Sequence, residues 1–125
     1  MSEAFVHDFV SDALKSLADV DAAFADLSNN PDNKRIIQGI FCVFRQIMGL
    51  SGHLNFSRLE HIAKEGKVVI DSLYQQKVEF SPEISLALFS AVEYIRNQLN
   101  VIQETGKEEE SDAHALVLEL RESIS

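Results

Sequence analysis

The chain has 125 residues, of which 46% are hydrophobic, so it is the size of one domain with a single packed core. Its formal net charge of −9 argues against nucleic-acid binding, which relies on Lys and Arg to neutralise phosphates, and favours protein partners. No segment has the roughly 18 uninterrupted apolar residues of a membrane span, and the acidic start MSEAFVHDF lacks the features of a signal peptide; the sequence therefore predicts a cytoplasmic protein that does not bind membranes.

Two long helices are predicted in the first half of the chain. Apolar residues recur at intervals of three and four from Glu3 to Leu27, the period of one helix face, and the turn-forming stretch SNNPDN interrupts that pattern. A second helix is predicted from about Asn33 to Leu50, with an apolar surface wide enough for contacts on several sides. Cys42 lies within this apolar run and cannot form an internal disulfide, so we expect a buried, unreactive thiol in a reducing compartment.

Two further long helices follow. After Gly49 and Gly52 loosen the end of the second helix, a third is predicted over about 56–76, with Asn55 or Ser57 as its capping residue. Ser81 followed by proline predicts the start of a fourth helix, and Gly106 predicts its end. The side chains that we expect inside the resulting core are Phe9, Leu17, Ile40, Phe44, Leu59, Ile62, Ile95 and Leu99.

The last 19 residues are expected to differ from the rest. The run KEEESD is interpreted as too charged to pack, with Ser111 capping a short amphipathic helix beyond it. Nothing alternates with period two, so the chain is predicted to be all-α, and short turns between long helices favour an antiparallel, up-and-down four-helix bundle. We expect residues 1–106 to form this bundle, and residues 107–125 to form a charged linker and a C-terminal helix packed on it.

A search for reactive groups finds few candidates. The glycines do not have the spacing of a phosphate-binding loop, and the single cysteine and four scattered histidines do not have the spacing of a zinc site. We therefore predict no metal, no cofactor and no enzyme activity. His53 and His61 could each serve as a phosphoacceptor or general base; the alternative is that both are ordinary surface histidines.

The segment from Ile40 to Lys67 resembles a known family. It reads IFCVFRQIMGLSGHLNFSRLEHIAKEGK, and histidine phosphotransfer (Hpt) domains of CheA-type chemotaxis kinases read along the lines of IFRxFHTIKGSxGFLGFxRLExLAHxxE. The two patterns align without a gap, and a weaker similarity extends over about Phe5 to Leu120. The resemblance implies a bacterial two-component or phosphorelay signalling domain with the four-helix bundle fold. The matching positions are Phe41, Phe44, Ile47, Gly49, Ser51, Gly52, Leu54, Phe56, Arg58, Leu59, Glu60 and Ala63.

The differences fall at the positions where the family does its chemistry. By that alignment Arg45 replaces the phosphoaccepting histidine and Met48 replaces a lysine one turn later. Lys64 replaces a supporting histidine, and Lys67 replaces a glutamate that orients the imidazole. An acceptor histidine needs a ring nitrogen with a free lone pair, whereas arginine stays protonated and offers none. The resemblance therefore implies a degenerate, pseudo-phosphotransfer domain.

Such a domain would retain a docking surface without the acceptor. We expect one exposed face to bind a response-regulator receiver domain or a histidine kinase module, through an arginine–lysine patch beside small residues. This regulator would not itself be phosphorylated. The alternatives are an active phosphocarrier using His53 or His61, or a purely structural bundle; we expect a monomer or a weak homodimer. The residues of the predicted docking face are Arg45, Gln46, Met48, Gly49, Gly52, Lys64 and Lys67.

Overall fold

Helices account for all the regular secondary structure in residues 3–125, the part of the chain that this computed structural model describes; residues 1 and 2, the start of the expected 1–106 unit, lie outside it. The all-α prediction is thereby confirmed. The helices are α1 (Glu3–Asn29), α2 (Lys34–His53), α3 (Ser57–Tyr74), α4 (Pro82–Thr105) and α5 (His114–Ser123).

Local capping residues fix several of these boundaries. The side chain of Asn33 accepts hydrogen bonds from two first-turn amides of α2, at 3.0 and 3.2 Å. Ser81 accepts one from the first turn of α4 at 3.2 Å, with Pro82 at the first helical position. Gly106 ends α4 in the left-handed conformation, with φ of 80°, and its amide donates to the carbonyl of Ile102 at 2.7 Å. These interactions satisfy backbone groups that a helix end leaves free.

The first four helices form a closed ring. Each packs against its neighbour in sequence, and α1 also packs against α4; within residues 3–125 the diagonal pairs α1–α3 and α2–α4 are not in contact. The connections are short, at 30–33, 54–56 and 75–81, so successive helices run antiparallel. The predicted up-and-down four-helix bundle is confirmed, and α5 lies against α3 and α4.

Apolar side chains from all five helices fill the interior of the bundle. All eight side chains predicted to lie inside are buried. Phe44 is 0% exposed, and Gly66 of α3 lies against its ring, where an added Cβ would be 2.7 Å from Cε1. The glycine therefore allows α2 and α3 to approach closely at this point.

The predicted cap of α3 is wrong. Asn55 has a positive φ of 65° and Ser57 is already helical, and the cap position makes no side-chain hydrogen bond. The carboxylate of Glu108 caps the helix instead, accepting from the amides of Arg58 (3.2 Å) and Leu59 (2.9 Å). A negative charge is favourable here because amides and the helix dipole make a helix N-terminus electropositive.

The predicted cap of α5 is also wrong. The residue that precedes α5 is Ala113, not Ser111, and the Ser111 hydroxyl lies 3.1 Å from that of Tyr94. Gln98, which is fully buried, accepts from the amide of Glu109 at 2.9 Å and donates to its carbonyl at 2.9 Å. The run 107–112 therefore lies on the surface of the bundle, held there by hydrogen bonds of its backbone and of the Glu108 carboxylate, while its residues 107, 109, 110 and 112 stay exposed.

Candidate functional site

The predicted docking face begins on the outer side of α2. The buried residues of α2 are spaced three and four positions apart. Each following residue is rotated by about 100° around the helix axis, so the residue after a buried one points away from the core. Arg45, Gln46 and Gly49 are exposed, while Met48 and Gly52 are half-buried at the edge of the core. The buried residues that define the inward side are Ile37, Ile40, Phe44, Ile47 and Ser51.

Contacts between α2 and α3 fix how the two helices are aligned. Near the C-terminus of α2, the Glu60 carboxylate lies against Gly52, where it would collide with any added Cβ. Nearer the other end of α2, Phe41 and Asp71 line one shallow cavity, and the Lys34 ammonium lies 5.4 Å from the centre of the Tyr74 ring. The antiparallel alignment is therefore fixed at three points.

This alignment determines which side chains of the predicted face are neighbours. Positions 41, 45, 48 and 52 share one flank of α2, and positions 60, 64, 67 and 71 share the facing flank of α3, since residues three and four apart lie on one side of a helix. Interpolating between the two outer contacts, we infer that Met48 faces Lys64 and that Arg45 faces Lys67. The four positions at which the sequence differs from the family pattern thus fall on the two facing flanks of α2 and α3.

The three cations of this face make no ion pair with any residue that the structure describes. Arg45 and Lys64 are exposed and Lys67 is half-buried, and within residues 3–125 none of them makes an ion pair or a side-chain hydrogen bond. The ion pairs present there are made by Arg96, with Asp21 and Glu93, and by Arg121, with Glu65. The Glu60 and Asp71 carboxylates share the α3 flank with these lysines but form no ion pair with them, so the three cationic side chains are free to bind an acidic partner on a chain that is acidic as a whole.

The two glycines of the face differ in accessibility. A Cβ added to Gly49 would meet nothing within 4 Å, so the helix backbone there is open to an approaching partner. Gly52 is half-buried beneath Glu60. The small-residue surface predicted at both positions is therefore open at Gly49 and partly covered at Gly52.

His53 and His61 border the predicted face, one helical turn from Gly49 and from Lys64 respectively. Both are exposed; the ring of His53 is 6.4 Å from that of Phe5, and His61 lines a cleft beside α5. In the described part of the chain neither imidazole has a hydrogen-bond partner that would fix its tautomer, as a carboxylate does for an acceptor histidine.

The prediction of a buried Cys42 is wrong, because its side chain is exposed. Cys42 is two residues beyond the buried Ile40, and a separation of two turns a helix by about 200°, to the opposite side. The apolar neighbours Phe41 and Val43, one on each side of Cys42, are only half-buried. Helical phase, and not the apolar composition of the run, decides where this thiol lies.

Residues 3–125 contain neither a candidate metal site nor a candidate membrane-spanning helix. No group of three or more His, Cys, Asp or Glu side chains there is arranged to hold a metal ion. None of the helices in that range combines the length and the apolar character needed to cross a membrane.

No protein-family model matches the chain. The sensor histidine kinase CheAY of Helicobacter pylori is similar in sequence, with 23% identity over 106 residues; these are 85% of this chain and 13% of that protein, so the chain spans a small part of its relative's length. The solution structure of the histidine phosphotransfer domain of CheA matches with a TM-score of 0.87 at 16% identity, covering 97% of this chain and 92% of that one. The chain therefore has the fold of a histidine phosphotransfer domain.

Proposed function

We propose that this chain is a pseudo-phosphotransfer domain of a phosphorelay, which binds a receiver domain or a kinase module and regulates it without taking up phosphate. Support comes from the phosphotransfer fold together with the sequence similarity to a sensor histidine kinase. In this role the protein is a binding module with no catalytic residue. Its docking face is the surface defined above, with Arg45 at the centre.

The observation that carries the proposal is the environment of Arg45. This residue is exposed on α2, has no ion pair or hydrogen bond within residues 3–125, and lies opposite Lys67 in the alignment of α2 with α3. A guanidinium keeps its proton at any physiological pH and has no lone pair with which to accept a phosphoryl group. The facing lysine, likewise, cannot play the part of an orienting carboxylate.

The same arrangement suits an acidic partner. Arginine presents several N–H groups in one plane and binds carboxylates through two parallel hydrogen bonds, and Lys64 and Lys67 add positive charge at the edge of the contact. By the family resemblance, a receiver domain would present its acidic phosphorylation pocket to this face. Arg45 would then occupy the pocket in place of the imidazole of an active domain.

Binding to a captured receiver or kinase module tests the proposal. The immobilised chain captures candidate partners from its native cell, and each purified partner is titrated by calorimetry against the wild type, Arg45→Glu, Lys64→Ala and Lys67→Ala. We expect Arg45→Glu to weaken binding most, since it replaces attraction by repulsion at the centre, and the lysine variants to cost about 0.2–1 kcal/mol each, as exposed pairs do. Affinity should fall with salt, because screening acts over roughly 10 Å at 0.1 M.

Arg35→Glu is the matched control. Arg35 is exposed at the opposite end of α2, so this variant has the same change in net charge without altering the face. Partner affinity that falls equally in Arg35→Glu and Arg45→Glu would reflect overall charge and would contradict the docking site. Wild-type affinity in Arg45→Glu would contradict it outright.

A pair of glycine variants tests the shape of the face independently of charge. Gly39 and Gly49 both lie in α2, both are exposed, and an added Cβ meets nothing within 4 Å at either site. Gly39→Ala and Gly49→Ala should therefore stabilise the helix similarly. Only Gly49→Ala places a methyl group in the proposed contact, so it alone should weaken partner binding; equal affinities would show that no partner approaches the backbone there.

A further inference from the structure

A second candidate binding site lies on the other side of α3 from the docking face. A cleft of about 730 Å³ opens between the first turns of α3, the middle of α4, the segment 111–113 and the length of α5 as far as Arg121. This volume falls in the range of small-molecule sites, roughly 300–1,000 Å³. The side chains of the lining that can donate hydrogen bonds to a ligand include Arg58, His61, Tyr94, Ser111, His114 and Arg121.

Basic residues are concentrated in this cleft. The chain has a net charge of −9 and contains five arginines and four histidines. Two residues of each type line the cleft: Arg58 and His61 from α3, and His114 and Arg121 from α5. The Arg58 side chain makes no hydrogen bond or ion pair within residues 3–125. Donors from two helices thus converge on one concave space.

The acidic groups around the cleft are already engaged. Asp112, the one acidic residue in its lining, accepts from the His114 amide at 2.9 Å. Glu65 accepts from Arg121 at 3.0 and 2.5 Å, and this hydrogen bond and its charge raise the pKa of Arg121. Glu108 caps α3. Glu65 is paired with the Arg121 cation, whereas Asp112 and Glu108 keep their negative charge and accept from backbone amides. The side-chain donors left for a ligand in the cleft are therefore the Arg58 guanidinium and the two imidazoles.

A rigid polar network forms one wall. The Tyr94 and Ser111 hydroxyls lie 3.1 Å apart, and the buried Gln98 amide group lies 3.2 and 3.3 Å from them while also bonding the backbone of Glu109. Only one of the two hydroxyl hydrogens can lie between the two oxygens, and the Gln98 nitrogen can only donate. The second hydroxyl hydrogen has no acceptor in the described residues and remains available to a ligand.

From these features we propose that the cleft binds a small phosphate-bearing anion. A phosphate group offers acceptor oxygens in several directions, which matches donors arriving from α3, from α5 and from the Tyr94–Ser111 wall; a carboxylate offers acceptors in one plane. This site is separate from the docking face and does not depend on its function.

Calorimetric titration of the full chain with inorganic pyrophosphate tests the site. We expect saturable one-to-one binding at low salt, and amide NMR shifts confined to residues lining the cleft. Arg58→Ala should weaken binding about tenfold through the loss of a charge-assisted hydrogen bond, and it keeps the backbone amide that Glu108 caps. Arg35→Ala, which removes an exposed arginine at the far end of the bundle, should bind as the wild type does.

The two histidines provide a second readout. At a fixed pH of 6, a His61→Ala/His114→Ala double variant should bind pyrophosphate more weakly than the wild type, because it lacks both imidazole donors of the cleft.

Three results would overturn the proposal. The first is an absence of saturable pyrophosphate binding at pH 6. The second is an equal loss of pyrophosphate affinity in Arg58→Ala and Arg35→Ala. The third is citrate binding as tight as pyrophosphate binding, which would show that the site selects negative charge and not phosphate. Partner binding by Arg58→Ala distinguishes the two proposals, because a variant that loses pyrophosphate but keeps the partner affects the cleft alone.

Discussion

The contact between Gly66 and Phe44 gives a quantitative prediction about how α2 and α3 pack. Alanine is favoured over glycine in a helix interior by about 1 kcal/mol, so Gly66→Ala would stabilise an unobstructed α3. The new Cβ, however, would lie 2.7, 3.0 and 3.2 Å from three carbons of the Phe44 ring, well inside the 3.5–4.0 Å optimum for carbon atoms. Phe44 is fully buried and has little room to move.

The two effects can be separated by a matched substitution. Overpacking a filled core costs about 1–3 kcal/mol, so Gly66→Ala should destabilise the protein by up to about 2 kcal/mol after the gain in helix propensity. Gly39→Ala, at an open position in α2, should have the gain alone. The difference in unfolding free energy between the two variants should therefore be about 1–3 kcal/mol, with the propensity contribution cancelling.

Urea unfolding followed by far-UV circular dichroism measures this difference. A shift in the midpoint without a change in the slope reports stability. Adding Phe44→Leu to Gly66→Ala removes the ring edge, so the two changes together should cost less than their sum by at least about 0.5 kcal/mol. If Gly66→Ala is as stabilising as Gly39→Ala, the close contact between the helices is refuted.

Three other predictions concern the core, the cap of α3 and the phosphosite. Phe44→Ala should cost about 3–5 kcal/mol in a urea melt because the ring is fully buried; a loss below about 1 kcal/mol would contradict that burial. Glu108→Ala should cost about 1 kcal/mol through loss of the α3 cap, whereas exposed Glu110→Ala should stay within about 0.5 kcal/mol, and similar losses would mean that the cap contributes nothing. The wild type should take up no phosphoryl group from an active histidine kinase, and Arg45→His alone should take up little, since it still lacks the supporting residues. Arg45→His combined with Met48→Lys, Lys64→His and Lys67→Glu should label more strongly, measured as acid-labile, base-stable phosphate; equal labelling of the single and quadruple variants would show that the support is unnecessary.

The helices and most of the core were determined by the sequence itself. Asn33, Ser81 and Gly106 act on backbone groups within one turn of their own position, so local chemistry fixes those ends whatever the rest of the chain does. Apolar periodicity likewise identified the inward side of α3 and α4. The same periodicity places Cys42 on the outer side of α2, opposite Ile40. The prediction of burial is wrong because it follows the apolar composition of the run and not the helical phase.

Tertiary structure decided which distant residues meet. Glu108 caps a helix that begins about 50 positions earlier, and no local pattern in KEEESD distinguishes this carboxylate from its neighbours. Arg45 was identified from its place in a motif, but its position opposite Lys67 depends on the alignment of α2 with α3. Arg58 and Arg121 share a cleft only because α5 packs against α3. Local interactions fix a residue's conformation within a turn or two, whereas the packing of helices fixes the juxtapositions on which both proposed binding sites depend.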